Sequence, residues 1–145
     1  MRAPTRLVEA VLTEMPIAEG DNPTAIAPAG LIHASLEEWS RFVQLHHTIA
    51  KGEKTTLLSE AAARRLQTVL VAPDGAAMGW FVAPRPWAGG LTLSHNVTNT
   101  NWFAWVWIAP ERDLAVLAVT NQGGARAEAA TDASIVALLR HAGAL

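Results

Sequence analysis

The chain has 145 residues, half of them hydrophobic and 17% charged, with a net charge of −2 at pH 7. This is the size of one ordinary domain with apolar content enough for a core, and it argues against a disordered chain or a basic nucleic-acid-binding surface. Cysteine and tyrosine are both absent, which removes disulfides, thiolate metal sites and tyrosine acid–base chemistry.

Residues 5–14 carry Leu7, Val8, Val11 and Leu12 at helical spacing, with Thr5 as a cap and Pro16 just beyond, and predict a first helix. Glu9 and Glu14 interrupt the apolar run, and no segment has the length of a signal-peptide core or a bilayer span. The expectation is a soluble, cytoplasmic protein with no membrane and no nucleic-acid partner. Residues 19–30, "EGDNPTAIAPAG", read as a loop punctuated by proline and glycine. Ser35 and Glu38 then stand at capping-box spacing. They open a helix whose Leu36, Trp39, Phe42, Val43, His46 and Ile49 share one face. Gly52 ends it. Ser59 caps another helix, with Ala62, Leu66 and Val69 expected to point inward.

After Pro73-Asp74-Gly75 the pattern changes to strands, at residues 77–83, 91–95, 102–108 and 114–120. Residues 110–113 form a tight connection, which makes the last two an antiparallel hairpin. Residues 127–141 are a closing helix, with Arg140 and His141 at its negative end and Gly143 just after. The reading is α+β: an antiparallel sheet of about four strands covered by helices, in a single domain over residues 1–145.

The groups able to do chemistry are few. His46 falls on the apolar face of its helix and reads as a core residue. His47, about 100° further round, reads as a solvated side chain. His141 reads as a helix-end charge. His33 lies in a loop, where it serves either as a ligand or as a backbone partner. His95 lies on a strand beside Ser94, and adjacent strand residues point to opposite faces, so the two are not a catalytic dyad. Glu37 and Glu38 serve the helix start. Arg85 and Trp87 either rim a pocket or belong to a hairpin loop. Trp105 and Trp107 share one strand face, with Trp102 on the other.

Four stretches carry a family resemblance: "GDNPTAIAPAGLIHASLEEWSRFVQLH", "LLSEAAARRLQT", "MGWFV" and "LSHNVTNTNWFAWVWIAPERDLAVLAVTNQGG". Over residues 20–124 the chain resembles the serine β-lactamase-like superfamily of class C β-lactamases, penicillin-binding proteins and related esterases. The resemblance implies the C-terminal part of that fold, reduced in size. It also implies a Ser-x-x-Lys nucleophile pair, a Tyr-x-Asn relay and a Lys/His-x-Gly strip on an edge strand. This chain departs from all three. The serines at 35, 40, 59, 94 and 134 have no lysine three residues on, and tyrosine is absent. Thr48-Ile49-Ala50-Lys51 is a formal Thr-x-x-Lys at a helix end. His95-Asn96 matches His-x, but Val97 stands where the family has glycine, crowding the space for substrate.

In that family the last strand pairs with strands from the N-terminal part. Residues 114–120 are therefore expected to present an open edge, closed either by residues 1–16 or, as the favoured partner, by a second copy in a homo-oligomer. An opened cleft is expected to bring His33 and His95 together around zinc, with His47 or Asp21 as third ligand. Zinc-bound water would then replace the serine nucleophile and cleave activated esters or phosphoesters. The alternatives are a non-catalytic remnant or assembly module, and a metal-free esterase with His95 as general base.

Overall fold

The structure, a computed structural model, describes residues 5–8, 11–14, 22–70, 75–99 and 101–145. The expected first helix is replaced by two short strands, β1 (Thr5–Val8) and β2 (Val11–Glu14), paired antiparallel with Leu7 opposite Leu12 and Val8 opposite Val11. Two adjacent apolar pairs fit one helix face or the facing positions of a hairpin equally well. Valine and threonine, whose branched side chains favour extended backbone, go with the hairpin. The expected loop at residues 19–30, from residue 22 on, tightens into a helical turn, α1 (Ala27–Gly30), where the Asn22 side-chain amide donates to the Gly30 carbonyl at 3.0 Å.

Helix α2 (Leu36–Ala50) begins as the sequence predicts. The Glu38 backbone N–H donates to Ser35 Oγ, and the Ser35 N–H donates to Glu38 Oε2 at 2.7 Å. Such a cap contributes about 1 kcal/mol. Val43, His46 and Ile49 are buried, while Leu36 and Phe42 stay half exposed at the margin of the expected apolar face. Helix α3 (Glu60–Gln67) is capped by Ser59, as expected, but buries Ala63 rather than Ala62, and Val69 lies outside the helix and exposed. Its short inward face is set by where α2 stands, which residue spacing does not specify.

The main sheet is antiparallel with order β3 (Phe81–Arg85), β4 (Gly90–Thr98), β5 (Phe103–Ala109) and β6 (Leu114–Thr120). The β3–β4 turn closes on Gly89, which adopts φ 72°, and the β5–β6 turn on Asp113 at φ 51°. Glycine takes the left-handed conformation freely, and aspartate is among the few other residues that tolerate it.

Register divides the sheet into two faces. Leu93, Val106, Ile108 and Leu117 point toward α2 and form one core with Val43 and Trp80. Trp105, Trp107, Val116 and Ala118 point the other way. There they meet Ile135 and Leu139 of helix α4 (Ala125–His141), whose buried residues recur every four positions. The sheet is thus a layer between α2 and α4, an α+β arrangement of four antiparallel strands covered by helices. Among the described residues no helix is long and apolar enough to cross a membrane.

Candidate functional site

His95 lies on β4 opposite Val106 of β5, on the α2 side, with Ser94 turned to the other side opposite Trp107. β4 is not an edge strand along its whole length, since it runs between β3 and β5. The β3 ladder, however, stops at the Phe81–Ser94 pair, while β4 continues to Thr98. From His95 onward β4 therefore has a strand neighbour on the β5 side alone, among the described residues. The His95 ring lies nearly parallel to Phe81, with centroids 6.4 Å apart. It is half-buried and makes no hydrogen bond among the described residues. The Phe81 contact was not legible in the sequence, because it depends on where β3 begins.

His33 sits exposed in the loop between α1 and α2. His47 faces the β5–β6 turn, its Nε2 3.6 Å from Asp113 Oδ1, beyond hydrogen-bond reach and with no hydrogen-bond partner among the described residues. It lines a recess with Ala115 and Leu117 of β6. This corrects its assignment to a solvated surface. β5 lies between the β6 residues that His47 meets and the β4 residue His95. Neighbouring strands are about 4.8 Å apart, so the two rings lie over strands roughly 10 Å apart, whereas zinc–nitrogen bonds are about 2 Å. Among the described residues no group of three or more His, Asp or Glu side chains is placed to hold a metal ion. The expected centre of His33, His95 and His47 is therefore not assembled within one chain. The alternative third ligand, Asp21, lies outside the described residues.

Lys51 has a structural role. Its Nζ contacts Asp113 Oδ1 at 2.9 Å and Glu53 Oε1 at 3.0 Å, tying the end of α2 to the β5–β6 turn. The hydrogen bond to Asp113, and then that to Glu53, holds the lysine pKa above its ordinary value, and Lys51 in turn holds Asp113 below the usual carboxylate value. A lysine kept charged in this way is a poor base for Thr48. Asp113 was legible as a turn residue able to take left-handed backbone, but its pairing with Lys51 was not. Glu38, whose pKa is lowered by its backbone and side-chain hydrogen bonds to Ser35, and Glu37, paired with Arg41 at 2.8 Å, serve α2 as expected. Arg85 lies over the Trp107 ring at 5.3 Å, and Trp87 meets the same ring edge-on at 6.0 Å. Both pack on the α4 side of the sheet and do not rim a pocket with His95.

His46 is the core histidine the spacing predicts, 5% exposed between Phe42 and Trp80, with ring centroids at 4.6 and 4.8 Å. Gln67, from α3, donates to its carbonyl at 2.8 Å and lies 3.4 Å from its Nδ1. Burial lowers its pKa, because the charged ring loses hydration that apolar neighbours do not replace. The neutral form is thus favoured in the folded chain. Its contribution to stability is complete above the unfolded imidazole pKa of about 6.5, and is lost as pH falls through the lower folded value. Thermal unfolding followed from about pH 8 to about pH 5 is expected to show a fall in Tm that His46→Gln flattens. An equal fall in the variant would place the acid sensitivity elsewhere.

Residues 2–140 match the beta-lactamase family, and the chain belongs to that family. The match extends beyond the residues 20–124 that carry the resemblance in the sequence. No curated protein and no solved structure matches the chain.

Proposed function

We propose that this chain hydrolyses activated esters, with water as nucleophile and His95 as general base. The observation that carries the reading is the position of His95 on β4 beyond the end of β3, half-buried and free of hydrogen-bond partners among the described residues. A neutral imidazole there has a nitrogen able to accept a proton. In the reaction, water gives a proton to His95 while its oxygen bonds to the ester carbonyl carbon. The carbon–oxygen bond to the leaving group then breaks, and the imidazolium returns the proton to the departing oxygen. An activated leaving group is required, because the sequence supplies neither a Ser-x-x-Lys pair nor a tyrosine. The same geometry admits a phosphoester in place of the carboxylic ester.

The zinc-dependent form of this reading needs ligands that the described part of one chain does not bring together, so no step is assigned to a metal. The test is hydrolysis of p-nitrophenyl esters and phosphotriesters by purified protein, before and after chelation and after zinc is restored. Turnover insensitive to both treatments is expected. Turnover lost with chelator and regained with zinc would overturn the metal-free account, and no turnover on any ester would overturn the hydrolytic one. A non-catalytic assembly role is the second reading, favoured by β6, which among the described strands pairs with β5 alone.

A further inference from the structure

The two edges of the main sheet are built differently. β3 contains Pro84, which has no N–H to offer, and ends in Arg85. Proline and charge are the usual means by which an edge strand is kept from pairing. β6 reads LAVLAVT, with neither device. No charged residue occurs between Asp113 and Arg126. Among the described strands β6 pairs with β5 alone, since β1 and β2 pair with each other in a separate sheet. Such a strand offers an unguarded row of backbone donors and acceptors.

We infer that β6 is a homodimer interface, pairing antiparallel with β6 of a second copy of this chain and joining the two sheets into one. The match of the strand to itself carries the inference. A two-fold axis at Leu117 sets the two Leu117 residues opposite each other and Val119 of each copy opposite Ala115 of the other. Large then meets small on the α2 side. Val119 is 47% exposed there, and beside Ala115 lies a recess of ≈ 340 Å³ bounded by Val43, Gln44, His47, Asp113 and Leu117. Val119 of the second copy enters that recess. On the α4 side Val116 meets Ala118. An uncharged strand paired with itself brings no like charges together, and the nearest charged groups, Asp113 and Lys51, already satisfy each other. Because the contact is isologous, one pairing uses up both β6 edges and the assembly closes as a dimer.

The test is mass in solution by light scattering across a wide concentration range, with circular dichroism as the fold check. The wild type is expected at twice the chain mass of 15.5 kDa. Val119→Lys, at an exposed position, is expected to halve that mass with the spectrum unchanged, while Leu91→Lys, exposed on β4, leaves it at the dimer value. The chain has no cysteine, so Leu117→Cys places a lone thiol at the proposed axis, and oxidation is expected to link two chains. A monomeric wild type overturns the inference. So does a dimer that Val119→Lys leaves intact and Leu117→Cys does not cross-link. The readout is mass, so the outcome is independent of whether the chain hydrolyses esters.

Discussion

Replacing Trp80 with alanine is expected to destabilise the chain by about 3–5 kcal/mol, the usual range for removing a buried tryptophan. Trp80 is 6% exposed and belongs to one cluster with Val43 of α2, Leu93 of β4 and Val106 and Ile108 of β5, so it joins α2 to two strands at once. Total stability in domains of this size is about 5–15 kcal/mol, so the loss is a large share of it, and Tm should fall by about 10 °C. Leu91→Ala, on the same sheet but 57% exposed, should change stability by no more than about 0.5 kcal/mol. The tryptophan has a second effect. Its ring lies 4.8 Å from that of His46 and contributes to the burial that lowers the histidine pKa. Trp80→Ala should therefore be both less stable and less sensitive to acid than the wild type. Denaturant unfolding at two pH values measures both effects. A variant with the wild-type pH dependence would show that other neighbours exclude water from His46.

His95→Ala is expected to lower ester turnover by about 100-fold or more, the scale of general-base catalysis. The loss should fall on kcat with KM little changed, because the imidazole acts on the attacking water and not on the bound ester. Stability should change little, since the ring is half-buried and makes no hydrogen bond among the described residues. His95→Gln preserves polarity and approximate size but cannot take the proton, and should be as inactive as the alanine variant. His47→Ala, whose ring faces Asp113 on the β6 side, should retain wild-type turnover. If His95→Gln retains full activity while folded, the assignment of the base is wrong.

The sequence by itself determined the features that depend on near neighbours in the chain. The Ser35–Glu38 box sets the start of α2 because each partner reaches the other within one turn. The β5–β6 turn follows from Pro110 and from an aspartate able to take left-handed backbone. The strands at residues 91–95, 103–108 and 114–120 follow from β-forming residues between turn signals, whereas the run of β4 on to Thr98 was not read from them. His46 was legible as a core residue because its position on the helix face is a matter of spacing alone. What required the tertiary structure was every statement about which element lies beside which. Leu7, Val8, Val11 and Leu12 fit a helix or a hairpin, and spacing does not choose between them. His33, His47 and His95 were joined on the expectation of a shared cleft, but separation across a sheet depends on strand order, and β5 stands between the strands that His47 and His95 meet. The pairing of Lys51 with Asp113 spans 62 positions and leaves no periodic trace. Local pattern is written in residues a few positions apart, whereas the site depends on contacts between segments far apart in the chain, which only packing brings together.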